Sequence, residues 1–306
     1  MTTMVNDVIL SILIPTFNYS CVELVKQLNQ QITALGISCE IIVADDASTD
    51  MSCRLSNNEI SLLPHCTYIE QNENMGRAGI RNFLASCAKG QWLLFLDCDA
   101  QVISSHFLAD YLHASNQASV ICGGLVHPSE QPSPEVSLRY RYERDADKRR
   151  AAHYRSLHPY DHFTTFCFLI DKEVFSSILF NEHCHEYGHE DTLFGEELKN
   201  KGIAILHIDN PLMHIGLEDN ASFLKKTETA LHTLHHLEKK GIILHSRLVQ
   251  KYQSLHRYGL HSLLPIFHKL VSPVLRWNLL GKNPSLTCFA IYKLGYYATL
   301  KSHKQG

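Results

Sequence analysis

The stretch from Gly90 to Val102, GQWLLFLDCDAQV, constrains the chain more than any other. Trp92 to Leu96 is a continuous apolar run of strand length, the pattern of a strand buried on both faces of a sheet. It gives way at once to Asp97, Cys98 and Asp99. Two carboxylates one residue apart at the end of such a strand put negative charge at the carboxyl edge of a sheet, where ligands of open α/β folds sit. The two groups repel each other unless a cation joins them, so a hard divalent metal is the natural third party. The plainer alternative is a strand-ending Asp that caps the following helix, and Asp-x-Asp alone does not separate the two.

The flanking chain repeats the pattern. Val8 to Ile14 predicts a strand stopped by Pro15, and Leu24, Leu28, Ile32 and Leu35 recur at helical spacing up to Gly36. Glu40 to Ala44 predicts a second buried strand ending in Asp45 and Asp46, and Cys66 to Glu70 a third. Asn74-Met75-Gly76-Arg77 opens a helix over 78–88 that leads into the Trp92 strand. Strands alternating with helices at this spacing argue for parallel βαβ units. Further strands are expected over 119–126, 163–170 and 203–208, with helices over 174–179 and 227–240.

A second polar constellation is Tyr187-Gly188-His189-Glu190-Asp191, which runs into a helix ended by Gly202. His214 stands alone after the turn Asp209-Asn210-Pro211, where packing or a backbone hydrogen bond competes with a ligand role. Residues 129–155 are polar and rich in Arg, which suits a solvated loop and helix face, or else a mobile lid or acceptor-binding element. His185-Glu186-Tyr187-Gly188-His189 also spells the zinc-protease pattern H-E-x-x-H, which requires both histidines on one face of a continuous helix. Gly188 opposes that helix by about 1 kcal/mol. A Rossmann oxidoreductase is disfavoured because Pro15-Thr16 stands where G-x-G-x-x-G should follow the first strand.

At 306 residues the chain can bury one large core or about two domains. Ten cysteines contain no C-x-x-C pair, and several sit in apolar runs, as buried thiols of a reducing compartment do. The N-terminal stretch lacks a basic n-region and a small-residue cleavage site, so no signal peptide is expected, and no window is apolar enough to span a membrane. A cytoplasmic protein is expected. Residues 241–306 hold nine Lys or Arg and no Asp or Glu, so the other 19 basic and all 31 acidic residues fall in 1–240. Such a split marks an appended segment with a different partner.

Taken together, SILIPTFN, EIIVADDAS, NMGRAGIRN, FLDCDA and HED followed by LFGEELKNKG resemble, in their order along the chain, the family 2 glycosyltransferases of the GT-A fold, over about residues 8–220. The resemblance implies a GT-A-type α/β domain over 1–235, its mostly parallel sheet flanked by helices; the residues beyond it read as a basic helical region over 236–306 broken by Pro265, Pro273 and Pro284. It implies an inverting, metal-dependent enzyme that moves a sugar from a nucleotide-sugar, with a UDP-sugar favoured, to an acceptor hydroxyl of a glycan or lipid-linked molecule in cell-surface polysaccharide or glycolipid synthesis. Pro15 and Thr16 would line the nucleoside pocket and Asp46 would accept from the base, while Asp45 serves a turn. Arg81 would lie towards the diphosphate. Asp97 would sit near ribose and metal, Asp99 would ligate Mn2+ or Mg2+, and His214 could add a further contact. Asp191 matches the family's base position, and its neighbour Glu190 could in principle hold that role. The basic tail either packs on the catalytic domain or attaches to the anionic inner face of the plasma membrane. Nucleic acid is not expected as a partner. An inactive GT-A-fold binding protein and the zinc protease are the alternatives.

Overall fold

The computed structural model describes residues 8–130, 133–182, 187–242 and 246–302. The chain divides into two compact units, one of residues 1–127, 147–185 and 190–216, the other of 128–146, 186–189 and 217–306.

In the first unit the chain runs through β1 (Leu10–Thr16), α1 (Val22–Leu35), β2 (Cys39–Asp45), α2 (Met51–Asn58), β3 (Cys66–Glu70), α3 (Gly76–Cys87) and β4 (Trp92–Leu96). Next come β5 (Ala100–Gln101), α4 (Phe107–Ala114), β6 (Val120–Cys122) and β7 (Leu125–Val126). α5 (Ser137–Asp147) counts with the second unit except for its last residue. α6 (Ala152–Arg155), β8 (Cys167–Asp171), α7 (Lys172–Ile178), α8 (Glu190–Asn200), β9 (Ile205–His207) and β10 (Leu212–His214) complete the first unit.

Seven strands form one sheet in the order β3-β2-β1-β4-β8-β6-β9. β3, β2, β1 and β4 are parallel, β8 runs antiparallel to both β4 and β6, and β6 pairs parallel with β9. The two-residue period of the strands explains why their apolar runs are continuous. Leu10, Ile12 and Ile14 of β1, with Leu94 and Leu96 of β4, enter the core under α1 and α4. Leu13 of β1 and Leu93 and Phe95 of β4 enter the opposite core, which α3, α7 and α8 cover. There Phe95 stacks on Phe168 at 4.9 Å, amid Phe163, Phe175, Phe180 and Phe194.

β10 lies in a separate three-stranded sheet between β5 and β7. The expected strand over 119–126 is interrupted at Gly123-Gly124, where it changes sheets from β6 to β7. Gly124 has φ 90°, and a Cβ there would come within 2.9 Å of the Arg155 guanidinium. That guanidinium donates to the carbonyls of Cys122, Gly123 and Ile208, so one member of the Arg-rich run is a buried fastener. The expected strand over 163–170 begins only at Cys167.

In the second unit α5 joins α9 (Asn220–Lys239), α10 (Arg247–Arg257), α11 (Leu263–Leu279) and α12 (Leu286–Ser302). Leu138, Phe223, Leu224, Leu275, Leu279, Phe289 and Tyr292 form its core. α9 starts at Asn220 rather than Thr227 and runs through position 235, so the compact units part at Leu217. The expected breaks at Pro265 and Pro273 do not occur. Pro265 sits in the first turn of α11, where no intrahelical donor is required, and Pro273 is exposed within the helix. None of the helices described is long and apolar enough to cross a membrane.

Candidate active site

The carboxyl ends of β1, β2 and β4 carry the polar residues that the sequence singles out, and the first unit gathers them along one sheet edge. Register pairs Thr16 with Asp45, and the Asp46 amide donates to the Thr16 carbonyl at 2.9 Å. Thr16 is buried, with its hydroxyl donating to the Tyr19 carbonyl, and Pro15 is half-buried beside it. Asn18, held at φ 51°, ties the β1 loop to the β2 loop: its Oδ1 accepts from the amides of Thr49 and Asp50 at 2.8 and 2.9 Å. Sequence reasoning missed this fastener, although Asn in a turn is a fair signal for it.

Asp45 accepts from the Ser48 amide and the Tyr68 hydroxyl, the turn role expected of it. Asp46 is buried and spans to the start of α3, accepting from the amides of Met75 at 2.6 Å and Gly76 at 3.0 Å. Burial pushes its carboxyl up, against the opposite pull of those two donors.

Arg81 is buried. Its Nη2 lies 2.5 Å from Asp97 Oδ1 and its Nη1 3.9 Å from Glu190 Oε1. One guanidinium therefore links the acidic end of β4 to the N-terminus of α8. Arg77, which sequence reasoning did not single out, adds a contact of 3.0 Å to Glu190 Oε1. Burial pushes the Glu190 carboxyl up, and Arg77 and Arg81 more than reverse this, holding it below its ordinary range.

The adjacent Asp191 behaves oppositely. It is half-buried, and burial together with the charge on Glu190 pushes its carboxyl up to about 6, although the Thr192 amide donates to it at 2.7 Å. Two neighbouring carboxyls with pKa values driven apart by their surroundings are a mark of acid–base function.

Asp99 and His214 come together through strand pairing. β10 runs antiparallel to β5 with His214 opposite Ala100, the Ile215 amide donates to the Asp99 carbonyl, and His214 Nε2 lies 3.0 Å from Asp99 Oδ2. His214 is buried against Phe166, with the His127 ring 5.7 Å away. Gly216 completes the approach, because a Cβ there would meet the Asp99 Cβ at 2.4 Å. A carboxylate and an imidazole this close could each offer one donor atom to a divalent ion. Cys98 is a poor third ligand: burial, followed by the charges around it, holds its thiol protonated. Tyr19 stands close by, its hydroxyl pushed up to about 12 by burial and then by the charge on Asp99.

The zinc-protease pattern falls partly on residues 185 and 186, outside the described residues. Its described end does not continue a helix, since Gly188 and His189 have φ of 107° and 71° and α8 starts only at Glu190.

Residues 11–179 match the family described as "Glycosyl transferase family 2". A dolichyl-phosphate beta-glucosyltransferase of Dictyostelium discoideum is similar, 27% identical over 138 residues, which is 40% of this chain and 42% of that one. A poly(ribitol-phosphate) beta-glucosyltransferase of Bacillus spizizenii is 33% identical over 120 residues, 38% of this chain and 19% of its own length. The chain thus matches less than half the length of these two relatives. Among solved structures, the mannosyltransferase PcManGT of Pyrobaculum calidifontis, in complex with GDP-Man and Mn2+, has a similar fold. It gives a TM-score of 0.52 at 15% identity, covering 96% of this chain and 86% of that one.

Proposed function

We propose, for a chain that belongs to glycosyl transferase family 2, that it transfers one sugar from a nucleotide-sugar to an acceptor hydroxyl with inversion at the anomeric carbon. The observation that carries this reading is the Arg81 guanidinium shared between Asp97 and Glu190, which ties two acidic motifs to one sheet edge. Asp99 and His214 would hold the metal, Mn2+ or Mg2+, with Asp97 next to them. When bound, that ion supplies positive charge for the diphosphate leaving group.

The chain's own residues supply the rest. Asp191 takes the proton from the acceptor hydroxyl as its oxygen attacks the anomeric carbon. A carboxyl with a pKa of about 6 is mostly ionised at neutral pH yet more basic than an ordinary Asp, which suits a general base. Glu190 is less suited, because it is committed to Arg77 and Arg81 and kept weakly basic. Pro15, Thr16 and Asp46 would line the nucleoside pocket. Asp46 has both oxygens engaged by backbone donors, so its first task is to fix the pocket wall and its contact with the base is shared. Arg81 would lie towards the diphosphate, held in place by Asp97 and Glu190.

A UDP-sugar is the donor to test first, with GDP-Man, seen in the Pyrobaculum calidifontis structure, as the comparison. The two relatives' names, one on dolichyl phosphate and one on poly(ribitol phosphate), support a lipid-linked or polymeric acceptor in cell-surface polysaccharide or glycolipid synthesis. Reaction in the cytoplasm, with contact at the inner face of the plasma membrane through 241–306, belongs to the same reading. The test is nucleoside-diphosphate release from a panel of UDP- and GDP-sugars with Mn2+. Release with one donor, lost in Asp99→Asn and Asp191→Asn, supports the proposal; no release from any of them with a range of glycan and lipid-linked acceptors contradicts it.

A further inference from the structure

We propose that α11 is a membrane-docking helix that lays one face in the plane of an anionic lipid surface. Leu263, Ile266, Phe267, Leu270, Val274 and Trp277 recur at intervals of three and four residues, which aligns them along one side of the helix. Every one of them is exposed, from 49% at Phe267 to 79% at Trp277. At a rise of about 1.5 Å per residue the stripe is about 20 Å long. Large apolar side chains gathered in this way differ from the single exposed residues that any soluble surface carries.

The opposite side of α11 already has its partners. Leu275 and Leu279 are buried with Phe223, Leu224 and Phe289, and the His268 ring lies 5.1 Å from that of Tyr292. The outer stripe is therefore not needed to hold the helical unit together.

Charge decides what covers it. The segment 241–306 contains nine Lys or Arg and no carboxylate side chain, and Lys269 on α11, Lys282 just after it and Arg257 on α10 are exposed. Arg276 and Lys301 pair with Glu228 and Glu238 of α9, but Lys269 on α11 itself is exposed, and a second copy docked through the same face would bring like charges together, which repulsion opposes. Anionic headgroups complement both the stripe and its cations, and an exposed Trp at its end suits the headgroup level. The helix lies on the surface rather than across it, since none of those described can span a bilayer. The inference rests on the reading above for its inner-leaflet setting. Lipid binding is measured without sugar transfer, so either can fail alone.

The test is co-sedimentation of the full chain with phosphatidylglycerol/phosphatidylcholine vesicles and with phosphatidylcholine vesicles alone. Wild type should bind the anionic vesicles and release them at high salt. The double variant Leu270→Glu, Trp277→Glu should partition at least ~10-fold less while melting at the wild-type temperature. If that variant does not fold, wild-type Trp fluorescence answers instead. The chain has two Trp, and Trp92 is half-buried in β4, so brominated lipid should quench the signal of Trp277. Failure of wild type to bind anionic vesicles, absence of quenching, or equal binding by a folded double variant overturns the proposal. So does a dimer that the double variant dissolves without any lipid contact.

Discussion

Arg81 and Asp97 form the tightest link between the two acidic motifs, with Arg81 Nη2 lying 2.5 Å from Asp97 Oδ1 while the same guanidinium reaches Glu190. A buried cation with two carboxylate partners leaves uncompensated charge behind when it is removed. Arg81→Met should therefore destabilise the fold by about 3–5 kcal/mol. Denaturant titration checks the value. Arg81→Lys keeps the charge but cannot reach both acids, so it should fold better than Arg81→Met while losing most of its turnover.

Asp191 gives a prediction in pH. Catalysis needs its ionised form, so kcat/KM should fall as pH drops through about 6, and Asp191→Asn should abolish that limb with a loss of about 100- to 10,000-fold. Stability runs the other way. The folded-state pKa is raised, so folding favours protonated Asp191, and that contribution is present at low pH and lost as pH rises through about 6. Asp191→Asn should thus be more stable than wild type above pH 6, by an amount on the order of 1–3 kcal/mol. The difference should shrink towards the unfolded carboxyl's ordinary range, near 4. A turnover profile flat from pH 5 to 8 in wild type would remove the base assignment.

The pairing of His214 with Asp99 predicts shared metal binding. Titrating Mn2+ into chelator-treated protein should raise the melting temperature, and His214→Ala and Asp99→Asn should each blunt the rise. Gly216→Ala tests the geometry without removing a donor, since its Cβ would have to displace Asp99. It should weaken the Mn2+ response too. An undiminished response in all three variants would put the ion elsewhere.

The framework was readable because it rests on local pattern. β4 is a continuous apolar run, and β1 and β2 are nearly so, broken only by Ser11 and Glu40 before their polar ends, as a strand with both faces buried tends to be. Their acidic ends were equally plain, because a carboxylate closing an apolar run is visible without knowing its neighbours. The parallel direction of β1 to β4 followed from their alternation with helices, but the reversal at β8 was not readable. The apolar run that becomes β8 says nothing of its antiparallel place between β4 and β6, which long-range pairing decides. The partners of Arg81 were not readable, since only the fold brings Asp97 and Glu190 to both ends of one guanidinium. His214 was a lone histidine until β10 paired with β5 and set it beside Asp99. Pro265 and Pro273 suggested breaks, yet α11 continues through both; Pro265 lies in its first turn, where no donor is required, and Pro273 stands in the helix interior.

The most direct measurement is the melting temperature of wild type and Asp99→Asn against a panel of nucleotide-sugars, each with and without Mn2+. A bound donor stabilises by mass action, by about 2.7 kcal/mol at a hundredfold excess over its Kd. At least one nucleoside-diphosphate sugar should raise the melting temperature of wild type, strongly only with the metal, and Asp99→Asn should lose that metal-dependent rise. If no donor shifts wild type, or if Asp99→Asn responds as wild type does, the acidic sheet edge is not where a nucleotide-sugar binds.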